Sequence, residues 1–131
     1  GEGNGGVIYP KSHYGRDAIV GIGLFLSLFV ERGLKASQLL DTYPKYYMLK
    51  EKVNISSKLN VDKILKKIAK KYINEKVDLV DGVRIDFTQS WVQLRKSNTE
   101  PIIRIYSEAK TMEKCEELVK EIETLIKKII N

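Results

Sequence analysis

An α+β fold is predicted for most of this chain: an antiparallel four-stranded sheet with two helices on one face, preceded by the α/β tail of another domain. Three observations predict it. Between Tyr47 and Ala109, apolar residues alternate with polar ones in short runs, the period of half-buried strands. Two longer segments, opened by Asn60 and Thr111, repeat apolar residues every three or four positions, as helices packed on one side do. The segment before Tyr46 follows neither pattern, so the chain is divided into residues 1–45 and 46–131.

The elements follow in order. Gly1 to Gly6 is a glycine-rich loop, and Val7-Ile8-Tyr9 reads as a short strand ended by Pro10. A domain rarely begins on such a loop, so the chain is expected to be a piece of a longer protein. Asp17 is placed to cap a helix that Gly33 stops. Its apolar run, Ala18 to Val30, is 13 residues long, short of the roughly 18 that a bilayer span needs. It is expected to be buried in protein on nearly all sides. Ser37 is placed to cap a short helix, Gln38 to Thr42, that Pro44 ends.

From Tyr46 the order is strand, helix, three or four strands, helix. Tyr47 to Ile55 sets Leu49, Val53 and Ile55 against Lys50, Lys52 and Asn54. Asn60 caps a helix whose stripe is Val61, Ile64, Leu65, Ile68, Ala69 and Tyr72. Val77 to Val80 and Val83 to Phe87 flank Asp81-Gly82, a two-residue hairpin signal. Trp91 to Arg95 and Ile102 to Ala109 complete the meander. Thr111 caps the last helix, with Glu113, Glu116 and Glu117 where its dipole favours acids. Met112, Cys115, Leu118, Val119, Ile122, Leu125, Ile126 and Ile129 form its buried face.

Composition narrows the chemistry. With 23 Lys and Arg against 17 Asp and Glu, the net charge is +6, which favours an anionic partner without naming it. One cysteine, Cys115, and one histidine, His13, allow neither a disulfide within the chain nor a Cys/His metal cluster. Such cysteine usage fits a reducing compartment, and a cytoplasmic location is expected.

The loop Arg95-Lys96-Ser97-Asn98-Thr99-Glu100-Pro101, followed by Arg104, carries the clearest signal. A guanidinium fork matches phosphate oxygens bidentately and does not titrate away. Ser97 and Thr99 add hydroxyls, and successive turn amides can form an anion nest. The residues alone leave phosphate binding level with an ordinary solvated hairpin tip. In Gly1-Glu2-Gly3-Asn4-Gly5-Gly6, Glu2 offers an acceptor pair for neighbouring sugar hydroxyls and Asn4 can donate and accept. On the residues alone, a flexible remnant without function is the better reading of that loop.

Arg95-x-Ser97-Asn98-Thr99-Glu100-Pro101-x-x-Arg104 resembles the phosphate-binding loop in the fourth domain of the α-D-phosphohexomutases, and Glu2-Gly3-Asn4-Gly5 resembles the sugar-binding loop of their third. Asp81-Gly82-Val83-Arg84 leading into Trp91 is similar as well, so the resemblance covers nearly the whole chain. It implies that residues 1–45 end the third, sugar-binding domain. Residues 46–131 would then be the fourth, phosphate-binding domain, a TATA-box-binding-protein-like fold.

The resemblance further implies an enzyme of the phosphoglucomutase/phosphomannomutase or phosphoglucosamine mutase type, interconverting hexose 1- and 6-phosphates through a bisphosphate. Arg95, Ser97, Asn98, Thr99 and Arg104 would hold the non-reacting phosphate, and Glu2 and Asn4 the sugar hydroxyls. A phosphoserine and a Mg2+ site would lie in other domains. This sequence has no Thr-Ala-Ser-His-Asn-Pro-like motif and no Asp-Gly-Asp-Gly-Asp loop. No catalytic residue, metal or cofactor is therefore expected here, and the chain alone is expected to be inactive.

Asn4, Lys96 and Gly6 depart from the commonest family residues, while His13 and Arg16 lie near the sugar loop. The expected partners are a hexose phosphate and the other domains of the same enzyme, with a dimer through the apolar helix as a further option. Neither nucleic acid nor membrane is expected. The rival reading is a stand-alone phosphosugar- or nucleic-acid-binding module using Tyr46, Tyr47 and Trp91, which are expected instead to turn into the core.

Overall fold

The computed structural model describes residues 6–130, and these divide into two compact units between Pro44 and Lys45. In the first unit, residues 7–9 form no strand. The Tyr9 carbonyl instead accepts the Ser12 and His13 amides at 2.8 and 3.1 Å, closing a turn. Helix α1 (Ala18–Arg32) begins where Asp17 Oδ1 accepts the Val20 amide at 3.0 Å. It ends at Gly33, whose left-handed conformation returns its amide to the Phe29 carbonyl.

The short helix α2 (Ala36–Asp41) starts before the Ser37 cap that the sequence suggests. Gln38 supplies the reason: its side-chain carbonyl accepts the Lys35 amide at 2.9 Å, which moves the first turn upstream.

Alpha-1 is left without the cover that its composition calls for. Within the described residues it buries none of its side chains, and Ile19 is 82% exposed with Ile22, Phe25, Leu26 and Val30 also on the surface. A uniformly apolar composition marks a helix that needs cover on all sides, but it does not place that cover in the same 131 residues. No described helix is long and apolar enough to cross a membrane.

The second unit follows from alternation and period. Its strands are β1 (Tyr47–Asn54), β2 (Lys76–Asp78), β3 (Val83–Asp86), β4 (Trp91–Lys96) and β5 (Ile102–Ala109), with helix α3 (Val61–Lys71) after β1 and helix α4 (Met112–Ile130) after β5. All neighbours are antiparallel in the order β1-β5-β4-β3-β2. The sheet thus has five strands, not four. The fifth is β2, the arm that the sequence places at Val77 to Val80; it is three residues long at an edge and offers only Val77 to the core.

The Asp81-Gly82 turn also differs from the expected two-residue hairpin. The register pairs Asp78 with Arg84, which leaves a longer loop and shifts the ladder by one residue. Asp78 Oδ1 accepts the Val80 amide at 2.7 Å, starting the turn early. Gly82 closes it at φ +79°.

One face of the sheet is apolar. Val83 and Ile85, Val92 and Leu94, and Ile103 and Ile105 are buried against Val61, Ile64, Leu65 and Ile68 of α3 and Val119, Ile122, Leu125 and Ile126 of α4. Both helices cover this face, as expected, and the caps are those expected: Asn60 Oδ1 on the Lys63 amide and Thr111 Oγ1 on the Lys114 amide. Tyr72, just past α3, ties the helices together by donating to Glu121 of α4 at 2.6 Å.

The start of α4 is pinned twice. Cys115, fully buried, donates its S–H to the Tyr47 carbonyl at 3.1 Å, and the buried Ser107 hydroxyl donates to the Cys115 carbonyl at 3.2 Å.

The opposite face is open and polar. Trp91 lies there rather than in the core, donating to Glu108 at 2.9 Å under the Arg84 guanidinium, 4.4 Å from the ring centre. Tyr46 and Tyr47 are likewise exposed, and Lys110 stands over the Tyr46 ring at 3.9 Å. The aromatics expected inside stay out because the aliphatic residues of β3, β4 and β5 already fill the helix-covered side.

Candidate phosphate-binding recess

The open face places the two arginines of the sequence motif side by side. Arg95 on β4 and Arg104 on β5 are directly opposed in the antiparallel register. Residues opposed in this way point to the same face, with Cα atoms about 4.5–5.5 Å apart. Like charges so opposed destabilise a sheet unless something anionic lies between or beside them.

Two carboxylates offset them in part. Asp81 Oδ2 lies 3.0 Å from Arg95 and Glu100 Oε2 lies 3.8 Å from Arg104. Both arginines keep close to half of their side-chain surface in solvent, at 47% and 46%. Ion pairs this exposed contribute little, about 0–1 kcal/mol, so an incoming dianion can displace them.

The loop between the strands supplies the remaining donors. The Ser97 amide bonds the Ile102 carbonyl at 3.2 Å and the Ile102 amide bonds the Glu100 carbonyl at 2.8 Å, which folds the four residues between into a tight turn. The Pro101 carbonyl accepts the Ile55 amide at 3.0 Å and fastens the loop exit to the end of β1. Ser97 is buried at the base, its hydroxyl 3.5 Å from that of Thr99.

Arg95, Lys96, Ser97, Asn98, Thr99, Arg104 and Tyr106 line one recess of about 270 Å³. The structure therefore brings together the five residues that the sequence singles out as a phosphate clamp. The other two candidates, Glu2 and Asn4, lie outside the described residues.

Lys96 points the other way, towards the helix side, and reaches Asp62 in the first turn of α3 at 3.7 Å. Two contributors were not singled out from the sequence. Asp81 lies 14 positions before Arg95 and meets it only through the β3–β4 pairing. Tyr106 was legible, because a residue two positions after Arg104 on a strand shares its face.

His13 is committed to structure. The Gly15 amide donates to Nδ1 at 2.9 Å, so the neutral ring carries its proton on Nε2, which faces Asp17 Oδ2 at 3.0 Å. The Val20 amide first, and His13 second, hold the Asp17 carboxyl below the ordinary carboxylate range. Among the described residues no three His, Cys, Asp or Glu side chains converge as metal ligands. These residues do not fit a Mg2+ site.

Comparison with known proteins bears on the family and the fold. The chain is 39% identical over 95% of its length to the phosphoglucosamine/phosphogalactosamine mutase of Sulfurisphaera tokodaii, of which it spans 28%. It is 44% identical over 89% of its length to the phosphoglucomutase/phosphomannomutase of Thermococcus kodakarensis, of which it spans 26%. The crystal structure of a phosphoglucomutase/phosphomannomutase family protein from Burkholderia thailandensis superposes on the whole chain with a TM-score of 0.68 at 23% identity, using 29% of that protein; this likeness speaks to the fold. The family profile of the phosphoglucomutase/phosphomannomutase C-terminal domain matches residues 49–125, and the chain accordingly belongs to that family, carrying its C-terminal domain.

Proposed function

We propose that the chain is the C-terminal portion of a phosphohexose mutase and that the recess on the open face holds the phosphate that is not reacting. The observation that carries this is the direct cross-strand opposition of Arg95 and Arg104 beside Ser97, Asn98 and Thr99. A phosphate dianion between the two forks would turn a repulsive pair into a bridged one. Binding energy at this remote group would then orient the reacting end of the sugar, which lowers the barrier to transfer without any chemistry by these residues.

In this reading residues 1–45 end the sugar-binding domain, and Glu2 and Asn4 meet the ring hydroxyls. The phosphoserine and the Mg2+ ligands of the parent enzyme belong to domains beyond these 131 residues. The chain then works in the cytoplasm, with a hexose phosphate as its ligand. The exposed apolar faces of α1 are read as a surface for other domains of the same enzyme, with self-association through α1 as the alternative that sedimentation of the isolated chain separates.

Titration of the 15.0 kDa chain with glucose 1-phosphate, followed by amide NMR, tests the clamp. Shifts are expected at Ser97 to Thr99. Arg95→Gln or Arg104→Gln should each weaken binding by roughly tenfold or more, as loss of a charge-assisted bond costs about 1.5–3 kcal/mol. Unchanged affinity in both variants would reject the site. No turnover is expected from the chain alone, and measurable mutase activity without added domains would reject the division of labour.

A further inference from the structure

The row of positive charge on the open face does not stop at the clamp. On the far side of Arg104, Lys52 of edge strand β1 is its direct cross-strand partner. Lys52, Arg104 and Arg95 therefore stand abreast on three adjacent strands, with strands about 4.8 Å apart. Lys50, two residues before Lys52 and on the same face, lies opposite Tyr106 with its ammonium 5.9 Å from the ring centre.

Lys50, Lys52, Arg104 and Tyr106 line a second recess of about 390 Å³, together with Glu51, Glu100 and Ile102. Arg104 and Tyr106 belong to both recesses and form the ridge between them.

The charges on the two sides of that ridge are answered differently. Asp81 meets Arg95 and Glu100 meets Arg104. Among the described residues neither Lys50 nor Lys52 has a carboxylate within ion-pair distance. Glu51 alternates towards the helix side with Leu49 and Val53 and reaches the recess only at the strand edge. One dianion in the clamp can bridge Arg95 and Arg104, but it leaves the two lysines uncompensated.

We infer that the Lys50–Lys52–Tyr106 recess is an oxyanion site in its own right, taking a phosphate dianion independently of the Arg95–Arg104 clamp. Two ammonium groups two residues apart on one strand act as mobile point charges. The Tyr106 hydroxyl, which has no hydrogen-bond partner among the described residues, adds a directed donor. This chemistry suits a doubly charged phosphate monoester better than a singly charged carboxylate. The inference goes beyond the clamp reading and does not need it to be right.

Titration of the chain with inorganic phosphate at low salt, read by amide NMR, separates the two. Two sets of shifts with their own midpoints are expected, one at Ser97 to Thr99 and one at Lys50 to Lys52 with Tyr106. The double variant Lys50→Gln/Lys52→Gln should weaken the second set about tenfold, as expected for losing charge-assisted contacts, and leave the first within about twofold; Lys52→Arg should restore part of it. Both lysines are exposed, so these variants keep the fold.

Unmoved β1 amides, or a second set indifferent to the double variant, would overturn the second site. A moving β1 set beside a still loop would sustain it and overturn the clamp instead. Saturation of β1 by a single-stranded oligonucleotide at lower concentration than by phosphate would overturn the assignment to a small phosphate.

Discussion

Helices α1 and α4 are both rich in apolar residues, and they do opposite things with them. Alpha-4 spaces Cys115, Leu118, Val119, Ile122, Leu125 and Ile126 along one stripe and buries all six. Alpha-1 is apolar nearly all round and buries none. The difference teaches that spacing, more than apolar content, tells whether a helix finds its partner within its own unit. A stripe matches one surface, here the helix-facing side of the sheet. An unstriped helix asks for cover from several directions.

The largest expected contrast is in core truncation. Ile126→Ala should destabilise the second unit by about 2–5 kcal/mol, the range for emptying a packed site, whereas Ile19→Ala in α1 should change stability by no more than about 0.5 kcal/mol. Urea unfolding followed by circular dichroism checks both, and an equal cost would dissolve the contrast.

Glycines sharpen it next. At Gly82 a Cβ would clash with the Leu94 carbonyl oxygen, with φ at +79°, so Gly82→Ala should cost at least about 1–3 kcal/mol in thermal denaturation. Nothing lies within 4 Å of a Cβ at Gly23 in α1. Gly23→Ala should instead raise helix stability by up to about 1 kcal/mol.

The two units should also fail at opposite ends of the pH scale. Because folding lowers the Asp17 carboxyl, the stability it lends α1 is present above the ordinary carboxylate value and is lost as pH falls through and below it. In Asp17→Asn that acid limb should disappear from the α1 amide signals.

Burial first, and the bond to Glu121 second, push the Tyr72 phenol up. Its contribution is complete below the unfolded tyrosine value of about 10 and is lost as pH rises beyond it. Tyr72→Phe should flatten that alkaline loss in the second unit. The smallest effect belongs to Lys96→Met: its half-exposed pair with Asp62 is worth about 0–1 kcal/mol, and the change should shrink further in high salt.

Much of the fold was legible because alternation and helical period are local. The stripes of α3 and α4, the caps at Asp17, Asn60 and Thr111, and strand β5 needed only neighbouring residues. What was not legible depends on pairing over distance. The register of β2 with β3 is one residue off the expected hairpin, and the Asp81 contact with Arg95 needs the register between β3 and β4.

The clamp was readable as a motif in one loop and its following strand. The abreast alignment of Lys52 with Arg104 was not, since 52 positions separate them in sequence and only the β1–β5 ladder joins them. Trp91 was misplaced for a related reason: a large aromatic reads as core until the strand's parity assigns its side.

The single thiol of the chain gives experimenters an untouched reporter. Cys115 is shut between the edge strand β1 and the first turn of α4, its sulfur held to the Tyr47 carbonyl. A thiol-reactive dye can reach it only when that seam opens, so the labelling rate clocks the parting of β1 from α4. A ligand that ties β1 to β5 should slow the clock, and no residue has to be replaced to read it.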